Sequence, residues 1–242
     1  MTVAPTPVHR RSPRSTLLFG VALWGALAAA GLFLLVRFDA LGSSSGSATL
    51  RGSGHAVAQN RTVPPFTSAE LAGSNNVAVR VGGRRHVVVR GDDNLIGRVT
   101  TRVEAGRLVI GNRTGSIATK TPMSVTVTVP TLDGFTLSGS GTVAIAGISA
   151  AQFTLALPGS GVVNANGTAT RLTTTIGGSG DEGLIGLSAR NVRASISGSG
   201  TIMLTALDRL DAAISGSGSI VYLGNPAVVT KTVSGSGAVV GG

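Results

Sequence analysis

One feature of the 242-residue chain limits its fold more than any other: after Pro130 a short glycine-serine motif returns at nearly constant spacing. LSGSG, LPGSG, IGGSG, ISGSG, ISGSG and VSGSG place their first glycines at Gly139, Gly159, Gly178, Gly198, Gly216 and Gly235, at intervals of 20, 19, 20, 18 and 19 residues. A fixed period near 20 marks stacked repeats, in which each unit buries its apolar face against the next. Alignment on these glycines exposes columns. Two positions earlier stand Leu137, Leu157, Ile176, Ile196, Ile214 and Val233; four positions later stand Val143, Val163, Glu182, Ile202, Ile220 and Val239. A looser column, nine positions later, holds Ile148, Thr168, Leu187, Leu207 and Asn225.

Such columns are what a β-solenoid requires. Coils lie about 4.8 Å apart, so equivalent side chains stack inside while their neighbours face out. Aromatic residues make up only 3% of the chain against 42% hydrophobic residues overall, so the core must be thin layers of Val, Ile, Leu and Ala. This composition predicts many short strands with frequent turns. The GSG triplet is expected at a corner, where glycine tolerates positive φ and, lacking Cβ, lets coils approach. The intervening Ser140, Ser160, Ser179, Ser199, Ser217 and Ser236 are expected to form a hydroxyl ladder bonded between coils.

Before the repeats, strand-like segments are expected at Val77–Val81, His86–Arg90, Val99–Val103, Arg107–Ile110 and Ser124–Val129, the last alternating as SVTVTV. Residues 37–62 read as a linker rich in Gly and Ser. Leu17 to Val36 is an uncharged apolar run preceded by Arg10, Arg11 and Arg14. At 1.5 Å per residue it is long enough for a bilayer core of about 30 Å, and the arginines keep the tail, residues 1–16, in the cytoplasm. A membrane anchor over 17–36 is therefore expected. A signal peptide cleaved after Ala28-Ala29-Ala30 competes with it, but the apolar run continues past that point. Either way residues 63–242 form an exported domain, with the GSG repeats in 131–242.

The formal charge of +10 is uneven. Residues 51–120 carry ten Arg and Lys120 against Glu70, Asp92, Asp93 and Glu104, while residues 121–242 balance five basic against five acidic groups. Arg84 and Arg85 in a turn-like GGRR stretch, together with Arg90, are candidate contacts for an envelope polysaccharide or anionic lipid. Without interleaved aromatics or an RNA-binding motif, nucleic acid is not an expected partner.

Catalytic constellations are missing from the sequence pattern. There is no cysteine, and His9, His55 and His86 lack ligand-spaced partners, so neither a metal nor another cofactor is expected. No G-x-S-x-G elbow occurs. The G-x-G-x-x-G match over Gly178–Gly183 is not followed by a helical pattern and counts as chance. Asp181-Glu182 stands out because Glu182 interrupts a column of Val and Ile, where a buried charge would be costly. The expected resolution is a local bulge turning Glu182 outward. A cation or sugar contact is the alternative, and with Arg190 and Arg193 the pair is also the candidate set for a β-helical enzyme acting on acidic polysaccharide.

The segments GDDNLIGRVTTRVEAGRLVIGN (91–112) and ISGSGSIVYLGNPAVVTKTVSGSGAVV (214–240), with the GSG repeats between them, resemble the head GIN domain of auto-transporter adhesins over residues 63–242. The resemblance implies an all-β, single-stranded right-handed β-helix with coils of about 18–20 residues, exported to the bacterial envelope. With the anchor it makes the chain a single-pass protein of the bacterial inner membrane, N-terminus inside, its domain in the periplasm or outside. The expected role is non-enzymatic: adhesion, envelope structure or sensing, with a polysaccharide, an anionic lipid or another envelope protein as partner.

Overall fold

The computed structural model describes residues 49–242; the anchor expected at 17–36, the tail and the first part of the linker lie outside them. No helix among the described residues is long and apolar enough to cross a membrane. The first half of the domain contains β1 (Leu50–Arg51), β2 (Ala56–Arg61), β3 (Ser68–Leu71), β4 (Asn76–Val81), β5 (His86–Asp92), β6 (Val99–Glu104), β7 (Arg107–Asn112), β8 (Ile117–Ala118) and β9 (Ser124–Val129). The second half contains β10 (Gly134–Leu137), β11 (Thr142–Leu157), β12 (Val162–Ile176), β13 (Asp181–Ile196), β14 (Thr201–Ser215), β15 (Ser219–Leu223), β16 (Val228–Ser234) and β17 (Ala238–Gly241).

The repeats form a β-solenoid by parallel, in-register pairing of each coil with the next. Val143 pairs with Val163, Val163 with Glu182, Glu182 with Ile202, Ile202 with Ile220 and Ile220 with Val239. The second column holds as well, with Leu157 on Ile176, Ile176 on Ile196, Ile196 on Ile214 and Ile214 on Val233. Strand alternation sends these side chains into one continuous buried core, except on the last coil, where Val239 is partly buried and Val233 exposed. The third column does not hold. Register shifts between Ile145 and Ile148, and between Asn164 and Gly167, move Ile148 opposite Gly167, and Leu207 faces solvent.

Instead of many short strands, each of the middle coils is one strand of 15 or 16 residues that runs from one GSG to the next and bends at its register shift. Positive φ occurs at that bend in β11 and β12, at Gly147 and Gly167 with φ of 81° and 131°, but nowhere in β13 or β14 and not at most GSG corners. Among the first glycines of the motif only Gly216 and Gly235 have positive φ. The corner glycines are required by coil stacking. A Cβ built on Gly159 would lie 2.1 Å from the Gly139 carbonyl oxygen, and one on Gly198 would lie 2.0 Å from that of Gly178. The same carbonyls accept the next coil's amides, Ser160 N–H to Gly139 O at 3.2 Å and Ser199 N–H to Gly178 O at 3.1 Å. The serine hydroxyls are exposed, and no hydrogen bond joins them among the described residues, so the corner ladder is one of backbone, not hydroxyls.

Residues 50–61 belong to the folded domain rather than to a linker. Asp92 is closed off from solvent and accepts N–H bonds from Gly54 and Lys120, both at 2.9 Å, while Asn94 Nδ2 donates to Arg51 O at 2.8 Å. Its burial works against ionisation, but the amides of Lys120, Thr121 and Gly54 outweigh it and hold the carboxyl below the usual range. β2 then pairs antiparallel with β5, which pairs antiparallel with β9. Gly and Ser here signal close packing against Asp92 (a Cβ on Gly52 would lie 2.2 Å from Oδ2), and composition alone reads as flexibility.

The last described coil turns a charge inward. Lys231 pairs with Ala212 and so takes a core-facing position, where Nζ donates to Val239 O at 3.1 Å and lies 5.2 Å from the Tyr222 ring centroid. Core positions such as Val233 are uncovered beyond it. An inward-pointing charge on an edge strand blunts pairing with another chain. Lys231→Val is expected to raise the mass measured by sedimentation above that of the unaltered protein; an unchanged mass would mean that something else protects this edge. Gly198→Val is expected to lower stability by more than about 3 kcal/mol, since Gly178 backbone must move aside, while exposed Ser199→Ala should stay within about 0.5 kcal/mol in urea unfolding.

Candidate functional site

The arginines singled out by the sequence do not converge. Arg84 and Arg85 lie between β4 and β5, whereas Arg90 lies near the far end of β5. Arg84 is exposed. Arg85 is half-buried with its guanidinium 5.9 Å from the Phe66 ring centroid, so part of its role is packing. It shares a groove of about 280 Å³ with Arg61, His86 and Asn60, whereas Arg90 donates to Thr126 Oγ1 at 3.2 Å and lines a different groove. Four other arginines of this half are engaged within the domain. Arg61 donates to Ile96 O at 3.1 Å, Arg98 donates to Thr114 O, and Arg102 and Arg107 pair with Glu104 and Glu70. The excess of +7 in the sequence is thus dispersed.

Asp181 and Glu182 point to opposite sides of β13. Asp181 is exposed; Glu182 is fully buried. The expected outward bulge is absent because β13 keeps its register here, Glu182 lying between Val163 and Ile202. One carboxyl oxygen accepts from the buried Thr174 hydroxyl, and Oε1 has no partner among the described residues. Burial pushes the Glu182 carboxyl up to about 8, only partly opposed by the Thr174 hydroxyl. The group is therefore mainly neutral at pH 7, and the pair cannot act together on one surface.

The long strands gather a different set, which the sequence reading left unconnected. Seven positions before the repeat glycines stand Gln152, Arg171, Asn191 and Arg209, and five before stand Thr154, Thr173, Arg193 and Asp211. In-register pairing stacks each series into a column on the outer face. Arg171, Thr173, Asn191, Arg193, Arg209 and Asp211 line an open groove of about 390 Å³. Arg209 holds Asp211 through two hydrogen bonds, at 3.1 and 2.8 Å, which with Arg193 keep that carboxyl below its usual range. Arg171 and Arg193 form no ion pair among the described residues. The glycine alignment that revealed the core columns also contains this signal, at positions of opposite parity where polar residues vary in type. No group of three potential metal ligands forms among the described residues.

Residues 65–226 match the family described as "Putative auto-transporter adhesin, head GIN domain". Among solved structures, a putative adhesin from Bacteroides fragilis aligns with a TM-score of 0.68 at 23% identity, over 79% of this chain and 99% of that one. A putative adhesin from Parabacteroides distasonis aligns with a TM-score of 0.53 at 20% identity, over 81% and 100% of the two chains. A putative lipid binding protein from the same organism aligns with a TM-score of 0.51 at 19% identity over the same shares. These likenesses show a common fold. No curated protein matches the chain.

The buried carboxyl sets a pH dependence of stability. Between the ordinary value near 4.5 and the folded value near 8, the folded chain keeps a proton that the unfolded chain has lost, so stability falls as pH rises through that window and is level beyond it. Glu182→Gln should remove that slope. In urea unfolding, the stability of the original protein minus that of the variant is expected to fall by on the order of 3 kcal/mol from pH 4.5 to pH 7; a constant difference would show that Glu182 ionises normally.

Proposed function

This chain belongs to the head GIN domain family of putative auto-transporter adhesins, and on that premise we propose that it is a non-enzymatic adhesion module displayed on the outer side of a bacterial cytoplasmic membrane by residues 17–36. The observation that carries the reading is the outer face of the solenoid. Every coil adds a row of polar side chains about 4.8 Å from the last, on strands held rigid by the core beneath. A repeating surface of fixed spacing suits a repeating polymer, and its charged groups point to an acidic envelope polysaccharide. The family and two of the three structural neighbours above carry adhesin names, the third a lipid-binding name, and none an enzyme name. An enzyme of the β-helical polysaccharide class would need clustered carboxylates on one face, and Asp181 and Glu182 lie on opposite sides of their strand.

The anchor part of the reading rests on the uncharged run Leu17–Val36 after three arginines. Expressed in a bacterial host, the full-length protein is expected in the membrane pellet after alkaline carbonate washing. A soluble product beginning near Gly31 would replace the anchor by a signal peptide. For adhesion, the full-length protein in nonionic detergent is expected to bind polygalacturonate more tightly than neutral dextran. That preference should fade as salt rises, because exposed charges are screened over about 8 Å at physiological ionic strength. Equal binding to both polymers at low salt would overturn the adhesion reading.

A further inference from the structure

We propose that the groove over Arg171, Arg193 and Arg209 is the contact site for the acidic groups of a polysaccharide whose chain crosses the coils rather than following a strand. This rests on the adhesion reading above and assigns it to one place. Three guanidinium groups face one carboxylate there, leaving a local excess of positive charge in a half of the domain whose formal charge is balanced. Arginine is suited to carboxylate and sulfate because its planar fork donates two parallel N–H bonds. Arg171 and Arg193 are exposed and without ion-pair partners among the described residues, so they reach a ligand without first breaking a contact.

Direction follows from register. Arg171 and Arg209 stand in one column with Asn191 between them, two coil steps or roughly 10 Å apart, and Arg193 occupies the neighbouring column on the Asn191 coil. Charged groups thus recur across the coils with a neutral donor between them, an order that matches acidic groups separated along an extended sugar chain. Asn191 and Thr173 supply uncharged partners for sugar hydroxyls. Recognition is by charge-assisted hydrogen bonding, since no aromatic ring lines the groove. A lipid surface fits less well. The one apolar residue lining the groove, Val192, is buried, so a ligand there meets polar groups and arginine stems, with a single exposed valine, Val228, beside Arg209 on the next coil.

Asp211 faces the same groove and opposes the ligand, which makes the site open to change in both directions. With full-length protein in nonionic detergent and polygalacturonate as probe, Arg171→Ser/Arg193→Ser is expected to weaken low-salt binding at least tenfold, with an unchanged circular dichroism spectrum and melting temperature. Arg51→Ser/Arg113→Ser removes the same charge from exposed positions elsewhere and should change binding less than twofold. Asp211→Asn should strengthen binding severalfold. If both double variants weaken binding equally, or if Arg84→Ser alone abolishes it, the groove assignment is overturned while the adhesion reading stands. If the unaltered protein prefers phosphatidylglycerol vesicles and ignores polygalacturonate, the partner is a membrane surface and the assignment fails together with the polysaccharide.

Discussion

The contact between glycine backbones at successive GSG corners is the constraint on which the rest of the solenoid depends. At Gly159, Gly178 and Gly198 a side chain would need to begin 2.0 to 2.1 Å from a carbonyl oxygen of the preceding coil, well inside any allowed approach. Removing Cβ lets the corner carbonyl accept the next coil's amide, so the hydrogen-bonded ladder continues round the bend instead of breaking there. The second glycines do the same on the inner side. A Cβ on Gly161 would meet both Gly141 O and the Leu137 side chain. With that edge fixed, the strands on either side are brought into register, and the register decides which residues become neighbours.

Register explains both the strength of the core and its one dissonant residue. The Val, Ile and Leu columns run through six coils and need few aromatic rings, because each inner layer is covered above and below by its copies. Glu182 enters such a column because neighbouring residues hold the strand in phase, and the chain tolerates it by keeping the carboxyl protonated and bonded to Thr174. Turning Glu182 outward would require a one-residue slip, which would expose Leu184 and bury Asp181. Neutralising one acid costs less than inverting a whole strand. The same phase brings Lys231 inward on the last described coil, where its ammonium group stays near solvent while its stem covers Tyr222.

On the outer face, register has the opposite consequence. Positions that need only to be polar differ from coil to coil, so a surface of specific character can be assembled without disturbing the core. Arg171, Asn191 and Arg209 are far apart in the chain and become adjacent rungs; Arg193 and Asp211 are brought beside them. The arginine-rich first half, in contrast, spends much of its charge on its own carbonyls and carboxylates, as Arg61, Arg98 and Arg107 show. The number of arginines in a stretch of sequence therefore does not show where guanidinium groups converge.

Much of the architecture was legible before any coordinates. The intervals between Gly139 and Gly235 specify coil length, the two apolar columns specify the buried face, and the alternation in Ser124–Val129 marks a strand, because period-two and period-twenty patterns are direct imprints of strand geometry and stacking. Other properties depended on tertiary placement. Composition cannot separate a glycine that frees the chain from one that lets backbones meet, so Gly52 and Gly54 read as linker until Asp92 was seen to grip them. Local sequence cannot tell which side of a strand Glu182 occupies when its neighbours compete for the core. Nor does a count of arginines reveal whether they converge, since that depends on which residues the coil length places opposite one another. The sequence by itself determined the repeat, the coil and the buried columns, whose signals are periodic and additive. Only the tertiary structure decided the protonated carboxyl, the inward lysine and the arginine groove, because each arises from contacts between residues on different strands.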